Sequence, residues 1–281
     1  ELSAVHSARV LHVPGEVEDD DRLILDVARG HGGALATLYE RHGRAVWAVA
    51  RAFARSESEV DDLVQETFLA ALRSASTFVP GRASVRTWLF AIARNAGRRT
   101  HRRSREIVDP PLLELGVAAG WGAPDAALSR EMDASSIARA IASLEPRDRE
   151  IVLLRDVEGL SGEECAVTLE LSLPAMKSRL HRARLRLMAS LRAEEGGVVA
   201  HEREVGGLTC GEVLARLGDY VDGELVADEV ARVDAHLREC TVCERFGGRY
   251  AHVVHGARER LGAEHAVDAE TFERVRRALS E

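Results

Sequence analysis

Apolar residues recur at helical spacing through most of the chain. Leu35, Leu38, Val46, Val49 and Phe53 fall on one helix face. Val60, Leu63, Val64, Thr67, Phe68, Ala71 and Leu72 repeat the i, i+3, i+4, i+7 rhythm on another, with Ser58 as candidate N-cap. The opposite face of that second helix holds Asp61, Asp62, Gln65 and Glu66. Pro80-Gly81 marks a loop, after which Ser84 caps a helix carrying Trp88, Leu89 and Ile92. Pro110, Pro111, Gly116, Gly120, Gly122 and Pro124 then break the periodicity and predict a linker. The rhythm resumes around Ile151, Val152 and Leu154, with Pro146 in the first turn. Ser161-Gly162-Glu163-Glu164 reads as a capping box opening a short helix. After a turn at Leu171-Ser172, a helix from Pro174 to Leu191 puts Met176, Leu180, Ala183, Leu187 and Leu191 on one face. No segment alternates with period two and no repeat is visible, so the pattern predicts an all-α protein. Its expected parts are a flexible N-terminus (1–21), a helical module (22–105), a linker (106–125), a second helical module (126–193), a Gly- and charge-rich linker (194–207) and a third module (208–281).

Charge changes the picture. The net charge is −8, which by itself argues against nucleic acid. Yet Arg94, Arg98, Arg99, Arg102, Arg103 and Arg105 form one basic run without an acid, and Lys177, Arg179, Arg182, Arg184, Arg186 and Arg192 form another. Local field rather than net charge governs phosphate binding. Each run alone reads equally as a solvated helix face; two runs, each ending a helical module, favour DNA. Two short helices joined by a turn, the second one basic, are the helix-turn-helix pattern. No stretch approaches a membrane-spanning length, and residues 1–15 lack a secretory pattern, which predicts a cytoplasmic protein without a membrane partner.

The four cysteines supply the chemistry. His236, Cys240 and Cys243 have the His-x3-Cys-x2-Cys spacing of a zinc site, and His236 and Cys240 share a helix face. Cys210 is the natural fourth ligand. A Cys3His set with Zn2+ would be closed and tetrahedral, with no open position for catalysis, and its metal would serve a structural or regulatory purpose. The competing reading is a redox Cys-x2-Cys pair. Cys165 reads as a small core residue. His252, His255 and His265 read as surface histidines. No triad or phosphate loop is present, so the chain is not expected to be an enzyme.

The block Asp61 to Ala70, followed by Arg86-Thr87-Trp88-Leu89 and Ala93-Arg94-Asn95, resembles region 2 of the sigma-70 family in its extracytoplasmic-function class. Asp156 to Glu164 and Met176 to Arg184 resemble region 4 of the same class. Cys210, the Tyr220 to Leu225 stretch and the His236/Cys240/Cys243 cluster resemble zinc-containing anti-sigma domains. The resemblance implies a subunit that gives core RNA polymerase its promoter recognition. Asp62, Gln65 and Glu66 would dock on the β′ clamp helices, with further contact to the β subunit. Arg86, Arg94, Asn95 and Arg98 would track the melted minus-ten strand of promoter DNA. Ser172, Ala175, Lys177, Ser178 and Arg179 would face bases of the minus-thirty-five element, while His181, Arg182 and Arg184 touch phosphate. Trp88 is expected in the core. Two positions depart from the family: Glu170 stands where the turn usually has Gly, and Cys165 where an aliphatic residue is usual. The third module would contact the sigma modules within the chain and regulate them by metal or thiol state, by inhibition or activation. The alternative is a stand-alone helix-turn-helix DNA-binding regulator with a structural zinc module.

Overall fold

The computed structural model describes residues 14–54, 56–100, 109–122, 133–191 and 203–261. Among them are twelve α-helices and one two-stranded hairpin, an all-α fold. The described residues divide into two compact units that do not follow chain order. One holds 14–100 with 153–172; the other holds 109–152 with 173–261.

In the first unit, α1 (Pro14–Ala28), α2 (Gly32–Ala50), α3 (Glu57–Ser74) and α4 (Val85–Thr100) pack on one another. Their apolar faces meet in a core that buries Ile24, Leu35, Leu38, Val46, Val64, Phe68, Leu89 and Phe90. Helix α1 begins at Pro14, inside the stretch expected to be flexible. Proline suits a first helical turn, and Ile24 and Val27 give the helix an apolar face to bury. The N-cap of α3 is Ser56, not Ser58: its side chain accepts from the Glu59 N–H, and Ser58 lies inside the helix. Ser84 does cap α4, accepting from the Thr87 N–H at 3.2 Å. A π-helical stretch (Leu153–Val157) and α8 (Gly162–Leu169) complete the unit, with α8 against α4. The Ser161–Glu164 capping box closes reciprocally. Cys165 is fully buried. Glu170 ends α8 in the left-handed region, with φ of 55°.

In the second unit, α5 (Leu112–Ala118), α6 (Ala134–Ser143), α7 (Pro146–Val152) and α12 (Thr241–Leu261) surround α9 (Leu173–Ser190). Helices α10 (Cys210–Asp222) and α11 (Ala227–Glu239) pack beside α12, and α10 also lies on α9. The segment expected as an unstructured linker thus contains α5, which starts after Pro111 and buries Leu115. Strands β1 (Glu204–Val205) and β2 (Leu208–Thr209) pair antiparallel. They reach into the other expected linker and were not foreseen from the sequence. Gly206 and Gly207, at φ 62° and 73°, make the two-residue turn in which both central residues need positive φ.

Candidate functional site

The hairpin and three helix ends converge on one buried cluster. Cys210 opens α10, whose N-terminus is fixed by a capping box between Thr209 and Glu212. His236 lies in the last turn of α11, Cys240 ends that helix, and Cys243 sits in the first turn of α12. The four ligand atoms lie within 4.8 Å of one another, and all four residues are buried. Cys210 Sγ is 3.6 Å from His236 Nε2 and 3.8 Å from Cys240 Sγ. A tetrahedral ion with Zn–S near 2.3 Å and Zn–N near 2.0 Å would set these separations at about 3.5 Å and about 3.8 Å. His236 Nδ1 lies 3.0 Å from the Leu208 carbonyl and 3.3 Å from that of Val205. Carbonyls only accept, so Nδ1 carries the proton and Nε2 turns its lone pair to the sulfurs. Burial pushes the Cys243 thiol well above its usual range, reinforced by Cys210 and Cys240, and burial also raises Cys210. Three crowded sulfurs and an imidazole nitrogen in a dry pocket are a donor set that a soft divalent cation satisfies. The Trp121 side chain also hydrogen-bonds Cys243, a partner for which the linear sequence gives no signal.

Helix α9 carries most of the residues expected at DNA, and several are engaged by protein. Lys177 Nζ lies 2.8 Å from Glu224 and 3.4 Å from Asp219. Burial works against the charge on Lys177, but the two carboxylates outweigh it and hold the ammonium above its ordinary value. The Arg184 guanidinium forks onto Asp222 at 3.0 and 2.9 Å, and Arg258 reaches the same carboxylate at 2.6 Å. Arg184 and Asp222 side chains are 1% and 3% exposed. His181 Nδ1 lies 3.0 Å from Tyr250 Oη, and its imidazole is pushed down to about 4, by burial first and the Arg184 charge second. Arg182 donates to the Pro110 carbonyl at 2.6 Å. Ser172, Ala175 and Ser178 are exposed, and Arg179 is half-buried.

In the other unit, Asp62 is exposed, Gln65 is half-buried, and Glu66 pairs with Arg99 at 3.1 Å. Arg86 donates to the Glu158 carbonyl and carboxylate at 2.6 and 2.8 Å. Arg94 is buried, donating to the Leu169 carbonyl and lying 3.3 Å from the Glu170 carboxylate. Asn95 and Arg98 are exposed. Trp88, expected in the core, is half-buried and packs edge-on against Phe78 with ring centroids 5.5 Å apart.

Three family models match the chain: sigma-70 region 2 over residues 38–107, sigma-70 region 4 over 134–187, and a zinc-finger family over 210–243. The RNA polymerase sigma factor CnrH of Cupriavidus metallidurans is 34% identical over 186 residues, 63% of this chain and 97% of its own length. The ECF RNA polymerase sigma factor SigC of Mycobacterium tuberculosis is 32% identical over 175 residues, 62% of this chain and 91% of its own. A solved structure of CnrH in complex with the cytosolic domain of CnrY is similar at 32% identity and a TM-score of 0.45, covering 60% of this chain and 95% of that one. Both promoter-reading regions are present in order, and the identity runs nearly the full length of whole sigma factors. The chain therefore belongs to the extracytoplasmic-function class of the sigma-70 family, here continued by a zinc-finger region.

Proposed function

We propose that this sigma factor directs RNA polymerase to its promoters and is held in check by its own C-terminal module, in response to metal or thiol state. One observation carries the reading: Lys177, His181 and Arg184 of α9 are covered by Asp219, Asp222, Glu224 and Tyr250 of the C-terminal module. The carboxylates offer α9 the charge that DNA phosphates would offer, so the covered and the DNA-bound arrangements exclude each other. Cys210, His236, Cys240 and Cys243 would hold a zinc ion that ties α10, α11 and α12 into one body and keeps the acidic residues in place. Loss of the ion or oxidation of the thiols would loosen that body and release α9. Arg179, Ser178, Ala175 and Ser172 would then read bases, with Lys177 beside them, while His181, Arg182 and Arg184 meet phosphate. Arg86, Arg94, Asn95 and Arg98 would follow the melted strand, and Asp62, Gln65 and Glu66 would dock on the polymerase clamp.

Run-off transcription with core polymerase tests this. The intact chain should be weakly active with zinc present and more active after chelation or mild oxidation. A version ending at Arg192 should be active under every condition. Equal transcription from both forms in all conditions would refute regulation in cis.

A further inference from the structure

Residues 109–122 join the region 2 stretch to the region 4 stretch, and they are pinned along their length. At one end, Asp109 accepts from Arg147 and Arg186 at 2.6 Å each, and the Pro110 carbonyl accepts from Arg182. In the middle, α5 packs on α9 and α10. Its Gly116 lies so close to α10 that a Cβ there would stand 2.6 Å from Leu214 Cδ2. At the other end, Arg249 of α12 donates to the Gly120 carbonyl at 3.0 Å. The chain then turns back, the Trp121 N–H reaching the Gly116 carbonyl at 2.8 Å. This places the Trp121 side chain, 1% exposed, against Cys243. An indole nitrogen can only donate, so the Cys243 sulfur is the acceptor.

We propose that the linker between the two sigma regions completes the metal site, Trp121 donating its indole N–H to the Cys243 sulfur, so that metal binding and linker docking are coupled. This rests on the zinc reading above. A metal-bound cysteine sulfur carries negative charge, and a Cys3His site around a divalent ion has a net charge of −1. A hydrogen bond to such a sulfur is charge-assisted and stronger than one to a neutral acceptor. Donors just outside a ligand set raise metal affinity and orient the ligand. The coupling is reciprocal: whatever the docked linker adds to zinc affinity, bound zinc adds to linker docking. The signal from the metal thus reaches the segment that spaces the two promoter-reading regions, as well as α9.

Two measurements on the full chain test the inference. The first is competition for zinc against a chromophoric chelator, comparing the wild type with Trp121→Phe, which keeps an aromatic ring and removes the N–H. The variant should bind zinc about tenfold to a hundredfold more weakly, while its metal-free form keeps the helical circular dichroism of the metal-free wild type. Affinities within about twofold of each other would overturn the proposal. The second needs no substitution. Amide exchange of residues 112–121 should speed up by on the order of tenfold when zinc is chelated from the wild type, matching the affinity the linker supplies. Unchanged exchange would overturn the coupling even if the variant proved too unstable to titrate. A wild-type protein that takes up no zinc at all refutes the metal reading itself and shows in the first titration, before the variant is compared.

Discussion

Replacing Asp222 with Asn should open the protein. Asp222 holds both Arg184 and Arg258, and Arg184 is almost completely buried. Asn keeps the shape and removes the charge, leaving the Arg184 guanidinium buried beside a neutral amide. Removing one partner of a buried ion pair costs about 3–5 kcal/mol, because the other charge stays out of water. Arg258 is 29% exposed and can regain solvent, so it adds little. With the C-terminal module undocked, Arg184 is hydrated whether or not Asp222 is charged, so the cost falls on the covered arrangement alone. At about 1.4 kcal/mol per factor of ten, the ratio of covered to uncovered protein should fall by roughly two to three and a half powers of ten. The gain in DNA affinity cannot exceed that ratio in the wild type, which the version ending at Arg192 measures independently. The assay is fluorescence anisotropy with a promoter duplex, run on wild type, Asp222→Asn and the truncated form at one fixed salt concentration. The variant should approach the truncated form while retaining its helical circular dichroism and its zinc. Suppose truncation raises affinity tenfold or more and Asp222→Asn leaves it within about twofold of wild type. The reasoning that places the restraint on this carboxylate is then wrong.

Three further outcomes are expected. His181 titrates at about 4 in the folded protein against an ordinary value near 6.5, so the unfolded chain takes up its proton first as the pH falls. Its contribution to stability is therefore intact above about pH 6.5, is reduced by about 2 kcal/mol at pH 5, and falls no further below about 4. Arg182, Arg184 and Asp222 contribute to the local field, and the Leu214 backbone and Tyr250 supply hydrogen bonds; urea unfolding at pH 7 and pH 5 should show a drop that His181→Gln lessens, and identical drops in both proteins would exclude His181 as its source. Glu170→Gly should raise the urea midpoint, because a non-glycine residue in the left-handed region costs about 1 kcal/mol and the Arg94 pair, with Glu170 69% exposed, returns only part of it; a lowered midpoint would show that the pair outweighs the strain. Cys240→Ser and His236→Ala should each abolish or sharply weaken binding of one zinc per chain and lower the melting temperature of α10 to α12 together, since the ligands come from three helices; elemental analysis and thermal melts check this, and an unchanged metal content would remove the assignment.

What the sequence could reveal depended on how local the cause was. The Ser161–Glu164 capping box, the burial of Cys165 and the clustering of His236, Cys240 and Cys243 involve residues a few positions apart, or a single small apolar side chain, and all were readable. The N-cap of α3 was misplaced by two positions because Ser56 and Ser58 flank Glu57, and only the backbone geometry decides which hydroxyl meets an orphan N–H. Helix α5 was hidden because prolines and glycines surround it. Its stability comes from Leu115 and Trp121 packing on distant helices, not from its own pattern. The Gly206-Gly207 pair is a hairpin signal, but strands of two residues carry no periodicity to accompany it. The two basic runs were plain in the sequence, while the partners of Lys177, His181 and Arg184 were not. Those partners lie on α10, on α12 and in the turn after α10, and nothing in a charge run says which acid will meet it.

The residues that cover α9 are also made after it. Asp222 follows Arg184 by 38 positions and Tyr250 follows His181 by 69. A ribosome adding about 5–20 residues per second takes roughly 3–14 s to travel from His181 to Tyr250. Every nascent chain therefore passes through an interval in which α9 exists and its cover does not, and the length of that interval is set by spacing along the chain and the pace of translation, not by affinity. Once synthesis ends, each copy carries one cover and never more or less than one. Raising or lowering expression cannot change the ratio of cover to helix, so only a shift in the docking equilibrium, or a pause in translation before Tyr250, could leave α9 bare.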